Sequence, residues 1–459
     1  MAISPSRDEP TDDARREATN GGTEATNGGT TAESGTPTQV ERLEESTTDG
    51  HWLREYARDH VVHGLVILAF FLYPPVYGLL VDSPLGFEAE AFLPGLTFMI
   101  VVLYLGLFAM SFDFVSGYTG YLSFGHAAFY GTGAYFVVLA ANGQVPGIPD
   151  GTPFMITMLL GAFLAGVLAL AIGAVSFRLT GVYFAMITLG FAQVLYELIR
   201  NWGFVSANPR EGATISGDGL EIGVPYVESL SFAVGRLTGD SFENVLGTGI
   251  DISTTMTSYY ALAVVVLVCY FAMQRIIHSP FGTVMIAIRE NEERAEAIGY
   301  NVFWYKMGAF AMSAFFAAIA GALFAAYSRS VSPENTYFFL VTADALIVTI
   351  VGGIGTLAGP LFGTVFHEWL EDVLSTENEG VATYLRETLS EGVLATDIAG
   401  FTLADVINSA VDGRAPLYLG IVFVLFVLFV PNGLLGSVRD RLGGTVAKRA
   451  PTLLERYRR

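Results

Sequence analysis

Ten apolar runs, at about 61–81, 92–112, 124–141, 155–176, 182–200, 258–277, 306–327, 340–356, 358–374 and 416–434, constrain this chain more than any other feature. A helix crosses the hydrocarbon core of a bilayer in about 20 residues. Inside lipid every backbone polar group must find its partner within the protein, which leaves helices as the spanning element for runs of this kind. The expected fold class is all-α, a polytopic integral membrane protein with about ten transmembrane helices. Composition agrees, because 459 residues that are 52% hydrophobic and only 15% charged are too apolar for a soluble protein of this size. Cys269 is the single cysteine and lies in an apolar run, so intrachain disulfides and cysteine-rich metal sites are excluded.

The polar segments set the expected organisation. Residues 1–58 read as a disordered acidic tail, with EATNGGT at 17–23 repeated at 24–30. No apolar h-region follows the start, so the first run is expected to serve as the insertion signal. Residues 59–436 form the expected transmembrane domain, and 437–459 a basic C-terminal tail. Counting Arg and Lys in the short connections places both termini and the 279–301 segment in the cytoplasm. Two Gly-, Asp- and Glu-rich insertions, 201–257 and 375–415, then fall outside, the first with an expected strand pair near Ile222–Val227.

The segment 279–301, SPFGTVMIAIRENEERAEAIGYN, is polar, helical by pattern and set between two apolar runs. Ser279 suits an N-cap and Pro280 a first helical position; Asn291 before Glu292 and Glu293 reads as a second helix start, and Gly299 as a stop. Glu290 and Arg294 stand four apart and lend modest local support. Such a helix either presents a surface to a cytoplasmic partner or is a solvated loop.

Two Gly-rich stretches interrupt the apolar pattern, GYTGYLSFGHAAFYGTG at 117–133 and GGIGTLAGPLFG at 352–363. Each glycine costs a helix about 1 kcal/mol against alanine, so this density fits broken helices or close backbone contact. Broken helices in two halves of a chain mark transport paths. Ser123 and His126 add polar groups to the first stretch, and Gly352, Gly353 and Gly355 open the second. Gly355, Gly359 and Gly363 fall at four-residue spacing, as on one helix face, so tight packing alone is the other reading. Asp344 lies two turns before the second stretch and reads as path-lining or helix-pairing. Asp113 and Glu197 fall near run ends and read as interfacial.

Catalytic signatures are missing from the sequence. Neither Lys306 nor Lys448, the only lysines, closes a P-loop, and there is no HExxH and no GxSxG. With a net charge of −20 and no basic patch, nucleic acid is excluded as a partner. The acidic, lysine-poor composition suggests a high-salt habitat.

Several ordered motifs across 61–436 together resemble a known family: GYTGYLSFGHAAFYGTGAY at 117–135, FRLTGVYFAMITLGFAQ at 177–193, SPFGTVMIAIRENEERAEAIGYNVFWYK at 279–306, DALIVTIVGGIGTLAGPLFG at 344–363 and PNGLLG at 431–436. The chain is similar to the M-type permease subunit of branched-chain amino acid ABC importers. That resemblance implies a transport subunit that is not itself an enzyme, binds no cofactor or metal of its own, and relies on ATP-Mg used by partner subunits. The implied partners are a second, H-type permease, two cytoplasmic ABC ATPases, an external solute-binding protein and the lipid bilayer. It also implies that Glu293, Ala295 and Gly299, preceded by Arg289, Glu290 and Asn291, form the helix that couples to the ATPase. Arg294 stands where the family pattern has an alanine, and no Leu-Pro follows Gly299. The expected translocation path runs by Ser123, His126, Asp344, Gly352, Gly353 and Gly355. A urea or short-chain amide permease of the same kind, a stand-alone channel or secondary carrier, and a membrane enzyme are the alternatives.

Overall fold

The structure is a computed structural model that describes residues 67–78 (Ala69 excepted), 94–149, 152–215, 254–374, 397–398, 401–402, 415–430 and 433–434. All belong to the unit Ile67–Arg459, and the other unit, Met1–Val66, lies outside them. So do the C-terminal tail from 437, most of both insertions and the Ile222–Val227 strand pair.

The helices are α1 (Leu96–Thr119), α2 (Ala127–Ala141), α3 (Phe154–Ser176), α4 (Val182–Asn201), α5 (Thr254–Ile277), α6 (Pro280–Glu290), α7 (Glu292–Ala297), α8 (Val302–Ser328), α9 (Pro333–Thr336), α10 (Phe339–Gly352), α11 (Gly359–Leu374) and α12 (Ala415–Phe429). Helical residues at 67–68 and 70–78 add part of a further segment, so each of the ten apolar runs contains helix. Among the described residues, six helices are long and apolar enough to cross a membrane. The protein is all-α apart from two short antiparallel pairs: β1 (Ala213–Thr214) with β2 (Ser330–Val331), and β3 (Asp397–Ile398) with β4 (Phe401–Thr402).

Burial sorts the helices. In their most apolar windows α1 is 83% buried and α8 78%, against 39% for α3 and 33% for α4, so the first two form the core and the others its rim. The rim turns large apolar side chains outward, among them Phe163 at 67% exposure, Val194 at 65% and Val268 at 63%. In water such a surface would be an aggregation liability, whereas lipid solvates it without cost. At 27 residues α8 spans about 40 Å. Its N-terminal end meets α6 and α7, its C-terminal end the β1–β2 pair, and these define two opposite ends of the bundle.

Glycine lets the core helices touch. A Cβ on Gly321 of α8 would stand 2.8 Å from the carbonyl carbon of Tyr130 in α2, so the two backbones approach as no larger residue permits.

Several expectations need correction. The helix expected at 92–112 continues to Thr119, which carries Asp113 into its interior with no exposure rather than leaving it at an interface. Glu197 does stay at the surface, its side chain 52% exposed beside Arg200. Only 120–126 of the first Gly-rich stretch is non-helical, because α1 fills its beginning and α2 its end. In the second stretch Gly355 leaves the four-residue stripe: it sits in the 353–358 connection with φ +79°, while Gly359 and Gly363 stay on α11. Glu290 and Arg294 do not support one helix, since Asn291 between them adopts φ −163° and splits it into α6 and α7.

Candidate functional site: a polar helix pair seated on two broken helices

The local signals of 279–301 act as caps. The Ser279 side chain accepts from the Gly282 amide at 3.4 Å with Pro280 at the first helical position, and Asn291 Oδ1 accepts from the Arg294 amide at 2.8 Å. At the far end Gly299 takes φ +97°, and the Gly299 and Tyr300 amides bond back to the Glu296 and Ala295 carbonyls at 2.9 and 3.2 Å. That pattern is a Schellman stop, which a residue with a Cβ adopts only under strain. Ala295 is 2% exposed and packs on Val284, Ile288 and Val302, so its small side chain lets α7 lie against α6. Glu290, Glu293 and Arg294 face outward with Ile298 (68% exposed) and Trp304 (65%).

The other side of the pair is tied to both breaks. Arg289, in the last turn of α6, donates from Nη1 to the carbonyl oxygen of Gly117. The absence of a side chain on Gly355 makes room for it, because a Cβ there would lie 2.8 Å from that nitrogen. Asp113 Oδ1 accepts from the Gly355 amide at 2.8 Å, and the Tyr118 hydroxyl accepts from the Leu357 amide at 3.1 Å. Two side chains of α1 therefore satisfy backbone donors that the break at 353–358 leaves open, as buried non-helical backbone requires. Gly433 packs onto Gly353, where a Cβ would be 2.5 Å from the Gly353 Cα, which brings part of the PNGLLG motif to the same junction.

A second tie involves residues for which the sequence carried no expectation of a shared site. Lys306, 4% exposed at the start of α8, donates to Glu292 and to the Tyr121 hydroxyl, while that hydroxyl donates to Glu292 Oε2 at 2.8 Å. Burial, then the bond to Glu292, pushes the Tyr121 phenol above its ordinary value, so it remains a donor. The available signal was that Lys306 is one of two lysines among many arginines. Its compact ammonium, with three donors, meets a phenol and a carboxylate at once.

The residues expected along the translocation path fall in three places. Gly352, Gly353 and Gly355 lie at the junction just described, with Gly352 closing α10. Ser123 and His126 lie deeper and are fully buried. His126 Nε2 stands 3.1 Å from Ser111 Oγ and 3.3 Å from Ser313 Oγ, inside a ring of Phe108, Phe112 and Phe129, and among the described residues neither its Nδ1 nor Ser123 Oγ has a partner. The helix that follows is capped from outside, by Thr342 Oγ1 accepting from the Ala127 amide at 2.8 Å. Asp344 lines a separate cavity of about 410 Å³ between α1, α10 and α11.

Comparison with known proteins bears on this arrangement. The family described as branched-chain amino acid transport system / permease component matches residues 96–382, which hold the polar helix pair, both breaks and the cavity. The chain belongs to this family. Among curated relatives of this family member, the high-affinity branched-chain amino acid transport system permease protein LivM of Escherichia coli K12 is 30% identical over 288 residues, 62% of this chain and 63% of the relative. The LivM of Salmonella typhimurium LT2 is 28% identical over the same extent, so this permease family member spans under two thirds of the length of both. The E. coli K12 permease protein LivH is 25% identical over 339 residues, 72% of this chain and 90% of the relative. No solved structure matches. Family and apolar helices together make the chain a multi-pass membrane protein.

Proposed function

We propose that this chain is a permease subunit of an ATP-driven importer that carries branched-chain amino acids across the cytoplasmic membrane. Both termini and the 279–301 loop lie on the cytoplasmic side in this reading. Two ABC ATPases supply ATP-Mg hydrolysis, a second, H-type permease completes the pore and an external binding protein delivers the solute. The relatives' names support the solute class. One observation carries the reading: a short capped helix pair turns Glu293, Arg294 and Ile298 outward while its other side is tied through Arg289, Glu292 and Lys306 to two broken helices.

A displacement of the outward face cannot leave the breaks unmoved, since Arg289 holds the end of α1 and crosses Gly355 of the α10–α11 connection. The partner ATPase pushes on α7, and the push arrives where helices are already interrupted and least backbone bonding must be broken. Glu293 offers the contact charge, and Gly299 fixes where α7 ends.

The test is uptake by the assembled importer carrying Glu293→Arg together with Gly299→Leu. The variant should insert normally, since both positions are exposed and a Cβ at Gly299 meets nothing within 4 Å, although its φ is unfavourable. ATP hydrolysis should continue while leucine uptake falls at least about tenfold, a barrier raised by about 1.4 kcal/mol or more. Uptake at the wild-type rate would remove the coupling role.

A further inference from the structure

The cavity beside Asp344 is unbalanced in charge. It is lined by Glu334, Asp344, Glu368 and Glu371 with His367 and no Lys or Arg. Glu334 is answered from outside, by the Tyr196 hydroxyl at 3.2 Å and Arg200 Nε at 3.8 Å. The other three carboxylates, one from α10 and two from α11, share only His367, whose Nδ1 lies 3.4 Å from Glu368 Oε1. Ligand atoms of His367, Glu368 and Glu371 all lie within 4.8 Å of one another, and no described cation sits among them.

Two further groups wait for a polar ligand. Tyr130, 1% exposed, and Tyr104, 7% exposed, line the same cavity, and among the described residues neither hydroxyl has a hydrogen-bond partner. The remaining wall is apolar, with Phe108, Phe338, Val341 and Val348. At about 410 Å³ the space is that of a small organic ligand, within the range of about 300 to 1,000 Å³ usual for such sites. A metal ion would use the carboxylate corner alone and leave the apolar wall unanswered. An ammonium group, with N–H···O contacts of about 2.8 Å, can reach acceptors spaced as those of Glu368 and Glu371 are, in a cavity that Asp344 also lines, and bring an apolar substituent with it.

We propose that this cavity binds a small organic ammonium bearing a short branched apolar group, with the ammonium at Asp344, Glu368 and Glu371 and the apolar group against Phe108, Phe338 and Val348. The ammonium end and side chain of a branched-chain amino acid present that chemistry, with the carboxylate held at the cavity mouth, away from three like charges. The part this plays in uptake rests on the transport reading; binding of the ammonium does not.

The experiment uses the full chain in lipid nanodiscs, with isothermal titration of 3-methylbutylamine, 4-methylpentanoate and Zn2+. Wild type should bind the amine and not the acid, and Asp344→Asn with Glu368→Gln should weaken the amine at least tenfold. Equal binding of amine and acid, or no amine binding, overturns the proposal, and both results come from wild type alone. Zn2+ binding without amine binding would make this a metal site instead and overturns it too. Leucine uptake by the assembled importer separates the two readings: uptake without amine binding removes only the cavity proposal, and amine binding without uptake removes only the transport reading.

Discussion

Only 4% of the Lys306 side chain reaches solvent, while Glu292 opposite it is 35% exposed. This difference makes the two ends of the ion pair unequal. Glu292→Gln strands an ammonium with Tyr121 as its remaining neighbour, and an uncompensated buried charge of this kind costs about 3 kcal/mol. Lys306→Met leaves behind a carboxylate that water can reach, so the loss should be about 1 kcal/mol, near that of an exposed pair. Combining the two changes should restore part of what Glu292→Gln loses, because no lone charge then remains inside. Denaturant unfolding of the three variants in lipid checks the ordering. Equal losses from both single changes would count against a burial-driven asymmetry. Tyr121 belongs to the same unit, and its ring meets Phe177 and Phe184 edge-on at 5.5 and 5.2 Å, so this charge pair is backed by an aromatic layer rather than by a loop.

At the scale of elements, the split at Asn291 is what turns a loop into a two-helix device. Its side chain caps α7 through the Arg294 amide, and removal of such a cap costs about 1 kcal/mol. Asn291→Ala is expected to speed hydrogen exchange several-fold at 293–297 and to leave the amides of α6 unchanged; equal acceleration in both helices would mean that they unfold as one. Ser279, Asn291 and Gly299 were legible in the sequence because capping is local, each signal sitting within three residues of the amides or carbonyls it satisfies. The contact of Arg289 with Gly117 joins residues 172 positions apart, and no local pattern encodes it. Its existence depends on how far α1 runs and how it is rotated, and the run at 92–112 hid both, since Asp113 looks like the end of an apolar stretch. The glycine density did announce breaks, but which glycines leave the helix is decided by tertiary partners such as Asp113 and Tyr118. Asp344 was legible as a polar group worth explaining, yet its neighbours on α11 were not, because His367 and Glu371 face it across a helix packing that spacing alone does not specify.

For the whole molecule, the core helices α1 and α8 bury their surfaces inside the protein while α3, α4 and α5 spend theirs on lipid, so the bilayer supplies much of what holds the rim in place. The charge acts on a different part of the surface. With 44 acidic against 24 basic side chains the chain carries −20, and in dilute salt those carboxylates repel one another over about 10 Å. Raising salt from about 0.1 M to about 1 M shortens that reach to about 3 Å, so the compact state should gain as the repulsion is screened. We therefore expect the thermal unfolding midpoint of the purified chain to rise with KCl over this interval, which also bears on the high-salt habitat suggested by the composition. The Lys306 end of its contact with Glu292 is shielded from bulk ions by the protein around it, so the pair should contribute little to the slope. Lys306→Met ought then to lower the midpoint by a constant amount at every salt concentration, giving a curve parallel to wild type. A midpoint that stays flat or falls with KCl would rule out surface repulsion as a controlling term, and a convergence of the two curves at high salt would show that the ion pair is solvent-screened after all.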